Sequence, residues 1–153
     1  MEHVTDATPD TRSDALATAL AKQDVAAVAY ALRNDVVIVQ GEAILALEAA
    51  ATSLARPGLR ALNIVTSPYG AWFGTWLERG GSSVTNLAAQ DGLPITIAAV
   101  EAAFAAQSFD LVALVHAESA SGILNPLPEI AALAKSHGAL VVVDAVASIG
   151  GHP

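Results

Sequence analysis

Short β-branched runs separated by alanine-rich stretches recur along this chain, and that alternation constrains its fold more than any other feature. VVIVQ (36–40) precedes GEAILALEAAATSLA, which ends at Arg56-Pro57-Gly58. LNIVT precedes GAWFGTWLERGG, SVTNL precedes ITIAAVEAAFAAQ, and LVALVH precedes LPEIAALAKSHG; ALVVVD comes last. A continuous apolar run of this length reads as a strand buried on both faces, and the longer segments carry apolar residues at helical spacing. The pattern predicts five strands alternating with helices. Strand–helix–strand units of this kind are joined by right-handed crossovers, so the expected fold class is α/β: a three-layer arrangement with a mostly parallel sheet and helices on both faces. Ahead of it, residues 1–13 read as a ragged tail, and SDALATALAKQDVAAVAYALRN as one or two helices with Ser13 available as a cap.

At 153 residues the chain suits one domain that buries about two-thirds of its unfolded surface. Its hydrophobic fraction, 54%, is high, and only 14% of residues are charged, a balance expected for the interior of something larger. Polar residues interrupt every apolar run before the ~18 residues that a membrane span needs, so no crossing is expected. The acidic, polar start does not read as a secretory signal, which makes the cytoplasm the expected location. Cysteine is absent, excluding disulfides and thiolate metal sites. A net charge of −8 offers no basic stripe for a nucleic-acid backbone.

In open α/β sheets, ligands gather where strands deliver their carboxyl ends. Four turns occupy such positions: Gly41-Glu42, the stretch 66–70 (TSPYG), the stretch 116–122 (HAESASG), and Asp144-Ala145. No G-x-G-x-x-G or G-x-x-x-x-G-K turn is present, which disfavours a nucleotide-binding or flavodoxin-like domain. His116 has no second histidine or carboxylate at ligand spacing on one element, so a metal site is not expected.

Taken in order, GEAILALEAA, SPYG and HAESASGILNPLPEIAALAKSHGALVVVDAVASIGG resemble class V aminotransferases, the pyridoxal-dependent group that includes alanine–glyoxylate, serine–glyoxylate and pyridoxamine–pyruvate aminotransferases. The resemblance runs from about residue 36 to the end; residues 1–35 show no clear signature, and the glycine–proline segment that usually opens these enzymes is missing. It implies a partial pyridoxal-binding large domain over 36–153 of a fold type I enzyme, without the small domain. The implied cofactor is pyridoxal 5'-phosphate, or unphosphorylated pyridoxal or pyridoxamine. The implied reaction moves an amino group from a small donor to a 2-oxo acid such as pyruvate or glyoxylate, in a homodimer.

The resemblance also assigns roles. Asp144 would hold the proton on the pyridine nitrogen, because a carboxylate there favours the charged form; a strand-ending aspartate that caps the next turn is the alternative. Tyr69 would stack on the ring, or else be ordinary loop packing. Ser119 would hydrogen-bond the cofactor, or else cap a turn. Glu42 stands where many relatives bind the phosphate at a helix N-terminus. Its carboxylate is expected to accept those amide hydrogen bonds itself and to repel a phosphate, as in the pyridoxamine–pyruvate subgroup; a first-turn glutamate favouring the helix dipole is the alternative. The lysine that carries the cofactor as a Schiff base lies, in the family, beyond DAVASIGG, and the sequence ends at Pro153. Neither Lys22 nor Lys135 matches it, so no catalytic residue is assigned and the chain is expected not to complete a transamination. A non-catalytic, truncated homologue acting as a binding or interaction module is the alternative.

Overall fold

The computed structural model describes residues 36–151; the helices expected over 13–34 lie outside the described residues. The chain divides into two compact units, one of residues 1–40 with 148–153 and one of Gly41–Ala147. The described residues of the first, 36–40 and 148–151, carry no helix or strand. VVIVQ is therefore not the strand that its composition predicts: Val37 is 85% exposed, and residues 36–40 are in no β-ladder. β-Branched residues favour an extended backbone, but a strand exists only through a partner that satisfies its N–H and C=O groups.

The second unit alternates as expected. Helix α1 (Ala43–Leu54) leads to β1 (Arg60–Val65), then α2 (Pro68–Arg79), β2 (Ser83–Ala88), α3 (Ile97–Ala106), β3 (Leu111–Val115), α4 (Leu127–Ser136) and β4 (Leu140–Asp144). All pairings are parallel, in the order β2-β1-β3-β4. The chain steps from β1 outward to β2, then crosses back over β1 to place β3 on its other side. Strand order thus reverses between β1 and β3.

Alternation along the strands divides the core into two layers. Leu62 and Ile64 of β1, with Val112 and Leu114 of β3, pack against Val100 and Phe104 of α3 and Ile130 and Ala134 of α4. On the opposite face, Ala61, Leu111 and Ala113 meet Ala51 of α1 and Phe73 and Leu77 of α2. All five residues of β3 are buried, as its unbroken LVALV run requires for a strand covered on both faces. Local chemistry sets the helix boundaries. Pro68 occupies the first turn of α2, where its missing N–H costs nothing. The Thr96 side chain accepts from the Ala99 N–H at the start of α3 (3.2 Å), and Gly138, at φ 74°, supplies the left-handed residue that ends α4.

Candidate functional site

The carboxyl ends of the strands surround a pocket of about 350 Å³, lined by Glu42, Tyr69, Trp72, Glu118, Ser119 and Asp144 among others. It spans the crevice where the strand order reverses, the position at which open parallel sheets bind ligands. The four residues singled out in the sequence therefore share one cavity, although they come from four separate turns.

Asp144 ends β4 and pairs in register with Val115. Its Oδ1 accepts the Val146 N–H at 3.0 Å, so the aspartate does cap the turn that follows. That bond uses one oxygen of a half-buried carboxylate whose residue also lines the pocket; the turn cap and a ligand contact are compatible. Tyr69 is 39% exposed, and its ring meets that of Trp72 edge-on, with centroids 5.4 Å apart at 87°. The two form an aromatic wall from one turn of α2. Trp72 escapes a reading of turns because it lies inside the helix, but its spacing of three from Tyr69 puts both on one face. Ser119 is exposed in the loop after β3.

Glu42 differs from the sequence expectation. It occupies the N-cap of α1, with extended backbone (φ −71°, ψ 150°), yet its side chain accepts no cap hydrogen bond. Residues that cap well (Ser, Thr, Asp, Asn) hold their oxygen one or two bonds from Cβ; glutamate carries an extra methylene that moves the carboxylate past the first-turn amides. The N-terminus of α1 is thus not filled by its own anion, although the charge stays beside it and lines the pocket.

Sequence reading passed over Glu118, Thr66 and Asn125, which form a polar chain at the pocket wall. Glu118 is only 3% exposed, and its Oε1 accepts the Thr66 hydroxyl at 2.6 Å. Thr66 Oγ1 in turn accepts from Asn125 Nδ2 at 2.9 Å. Nearby, Asn63 of β1 is fully buried and donates from Nδ2 to the Gly70 carbonyl (2.9 Å) and to Asn86 Oδ1 (2.8 Å), leaving its own Oδ1 without a partner. Asn63 and Asp144 also line a smaller cavity of about 10 Å³, roughly the space of one water.

The pocket's charge is one-sided. Among the described residues, Glu42, Glu118 and Asp144 line it, and no lysine or arginine does. Lys135 lies in the last turn of α4, which leads toward the start of β4 and so to the opposite edge of the sheet. Among the described residues, no group of three or more His, Cys, Asp and Glu is arranged to hold a metal ion, and no helix is long and apolar enough to cross a membrane.

Comparison with known proteins agrees with this arrangement. The family model for aminotransferase class-V matches residues 10–153, reaching back into the stretch where the sequence alone shows no clear signature. The chain is 38% identical over 134 residues to a pyridoxamine–pyruvate transaminase of Mesorhizobium japonicum, covering 85% of this chain and 34% of that protein. It is 34% identical over 145 residues to a 2-aminoethylphosphonate–pyruvate transaminase of Pseudomonas fluorescens, covering 94% and 39%. The crystal structure of pyridoxamine–pyruvate aminotransferase from Mesorhizobium loti superimposes with a TM-score of 0.74 at 32% identity, over 99% of this chain and 38% of that one. The chain therefore spans between a third and two-fifths of the length of these relatives. With a doubly covered parallel sheet, a pocket at its switch point and a family match over nearly its whole length, the chain belongs to the class V aminotransferases.

Proposed function

We propose that the pocket binds the pyridine ring of a vitamin B6 cofactor and that the protein of which this chain forms the sheet transfers an amino group to a small 2-oxo acid such as pyruvate. One observation carries this reading: Asp144, Tyr69 and Ser119, drawn from three separate turns, line one cavity beside an aromatic wall. These residues fit a flat, protonatable ring. Tyr69 supplies a face for stacking, Ser119 an exposed hydroxyl for a ring substituent, and Asp144 a carboxylate that keeps a ring nitrogen protonated. When bound, the cofactor would supply the electron sink that makes the amino donor's α-proton acidic. The residues lining the cavity bind and orient the ring. Among the described lining residues none is a lysine, so the amine that moves protons between carbon atoms is not among them.

The finer assignment is unphosphorylated pyridoxal or pyridoxamine over the phosphate ester. Among the described residues, three carboxylates and no cation line the cavity, which raises the cost of a dianionic phosphate and favours a cationic amine or pyridinium. The relative of Mesorhizobium japonicum, named for pyridoxamine and pyruvate, is in keeping with this choice. Residues 36–153 would then be part of a pyridoxal-binding large domain, with the unit Gly41–Ala147 as its sheet core. The working form would be a cytoplasmic homodimer.

Calorimetric titration of the chain with pyridoxamine, pyridoxal and pyridoxal 5'-phosphate tests the reading. Binding of the unphosphorylated forms at lower concentration than the phosphate supports it. Tighter binding of the phosphate removes the finer assignment, and no binding of any form removes the B6 reading.

A further inference from the structure

The loop after β3 folds back on itself. Ala117 and Leu124 form an antiparallel bridge, the Glu118 N–H donates to the Ile123 carbonyl (2.8 Å), and the Asn125 N–H donates to the His116 carbonyl (2.8 Å). Gly122, at φ 74°, donates to the Glu118 carbonyl (2.9 Å) and closes the turn. Ser119 sits in the span that these bonds enclose. Glu118 lies on the outgoing arm and Asn125 at the end of the returning one, and both side chains converge on a single atom, Thr66 Oγ1.

The direction of each bond in this junction is determined by backbone groups. Asn125 Nδ2 also donates to the Val115 carbonyl (2.8 Å), and its Oδ1 accepts the Ile95 N–H (3.0 Å). Neither backbone partner can reverse its role, so the amide has one orientation. Thr66 Oγ1 therefore accepts from Asn125, and its only hydrogen goes to Glu118 Oε1. A hydroxyl that accepts from an amide and donates to a carboxylate is polarised in one direction, and each bond strengthens the other.

We infer that Thr66 is a positioning residue for the site: its hydroxyl locks the loop that carries Ser119 to the turn that carries Tyr69. Thr66 stands three residues before Tyr69, and Glu118 immediately precedes Ser119. The two turns are about fifty residues apart in sequence and have no covalent reason to keep a common spacing. The junction links them, so that ring face and hydroxyl meet a ligand at one separation. The inference rests on the reading of the pocket as a B6 site only for the identity of that ligand.

Amide hydrogen exchange on the full chain tests the junction without any ligand, and pyridoxamine titration tests its consequence. In Thr66→Val, exchange should rise together at 117–124 and at 67–72, while the buried strand β3 keeps its protection. Pyridoxamine affinity should fall about tenfold. Thr66→Ser keeps the hydroxyl and should stay within about twofold of wild type on both readouts. Glu118→Met, which removes the acceptor at similar side-chain length, should resemble Thr66→Val, and the double variant should be no worse than either single one, because both remove the same bond. Unchanged exchange in Thr66→Val, a Thr66→Ser variant as perturbed as the valine, or additive losses in the double variant would each overturn the inference. Should Thr66→Val fail to fold, Thr66→Ser and Glu118→Met decide it. If wild type binds no B6 form while the exchange pattern holds, the identity of the ligand fails and the junction stands.

Discussion

Where its strands begin, the sheet is closed by Arg60 and Asp110; where they finish, it opens on Glu42, Glu118 and Asp144. At the first end, Arg60 opens β1 and grips Asp110 through Nε to Oδ2 (3.1 Å), Nη2 to Oδ1 (2.8 Å) and its backbone N–H to Oδ2 (3.0 Å), while Nη1 reaches Ser108 Oγ. The Asp110 N–H returns a bond to the Arg60 carbonyl, and the Asp110 carbonyl accepts from Leu140 at the start of β4. The two charges, Arg60 and Asp110, satisfy each other within the protein. At the other end, among the described residues, carboxylates gather without a cation, and Asn63 Oδ1 and Ser67 Oγ are buried without a hydrogen-bond partner. Buried polar groups are normally satisfied, and the cavity of about 10 Å³ beside Asn63 has room for a water that could do so. One end of the sheet is closed by matched charge, and the other is where we propose that a ligand binds.

The largest test of that contrast is Asp144→Asn. Asparagine keeps an Oδ1 that can accept the Val146 N–H, so the turn should survive and thermal stability should change little. A neutral amide cannot favour a protonated ring nitrogen. With hydrogen bonds to charged groups worth about 1.5–3 kcal/mol, pyridoxamine affinity measured by calorimetry should drop roughly 10- to 100-fold. An unchanged affinity would reduce Asp144 to a turn cap, and the two ends would no longer differ in kind.

Next in size is Gly74→Ala, which probes the packing beneath the pocket. A Cβ on Gly74 would stand 2.5 Å from Asn63 Nδ2 and 2.7 Å from Asn86 Oδ1. The paired amides would have to separate under α2, at a cost of about 1–3 kcal/mol in a urea denaturation series. A neutral result would mean that the Asn63–Asn86 pair moves freely and does not define the floor of the site.

Glu42→Gln should act more weakly. The side chain is exposed and makes no cap bond, so removing its charge should leave the fold intact. Charges near a helix N-terminus contribute about 0.3–1 kcal/mol, so binding of pyridoxal 5'-phosphate should improve roughly two- to fivefold relative to pyridoxal, and the gain should shrink in high salt. No shift in the ratio would leave the other two carboxylates as the source of any preference.

What the sequence disclosed follows from how local each feature is. The unbroken run LVALV needs only its own composition to read as a doubly covered strand, and β3 is buried at every position. Asp144, Tyr69 and Ser119 were legible because turns after strands lie on one edge of a parallel sheet, so position in the pattern stands in for position in space. VVIVQ misled because strand-forming composition says nothing about whether a partner strand is present. Glu42 misled in a subtler way: its place at the N-cap was legible, but whether its side chain would bend back was not. The junction at Thr66 left no trace at all, since its partners lie 52 and 59 residues away and a threonine ending a strand is unremarkable by itself.

The smallest expected effect lies at the finished end and completes the comparison. Hydrogen bonds from the Arg60 side chain and then from its backbone N–H hold the Asp110 carboxyl at about 2, below its ordinary 3.8. A carboxylate whose pKa is lowered on folding stabilises the protein above its unfolded value, and loses that contribution as pH falls through the folded one. Wild type should therefore exceed Arg60→Leu in thermal midpoint by a constant, small amount from neutral pH down to about 4. The two curves should converge as Asp110 takes up its proton on the way to pH 2. Both partners are open to solvent, at 47% and 38% side-chain exposure, so 1 M salt should shrink the gap at every pH. A gap that stayed constant on acidification down to about pH 2 would show that Arg60 stabilises the sheet by packing its stem rather than by holding Asp110 ionised. The closed end would then owe its order to apolar contact, not to matched charge.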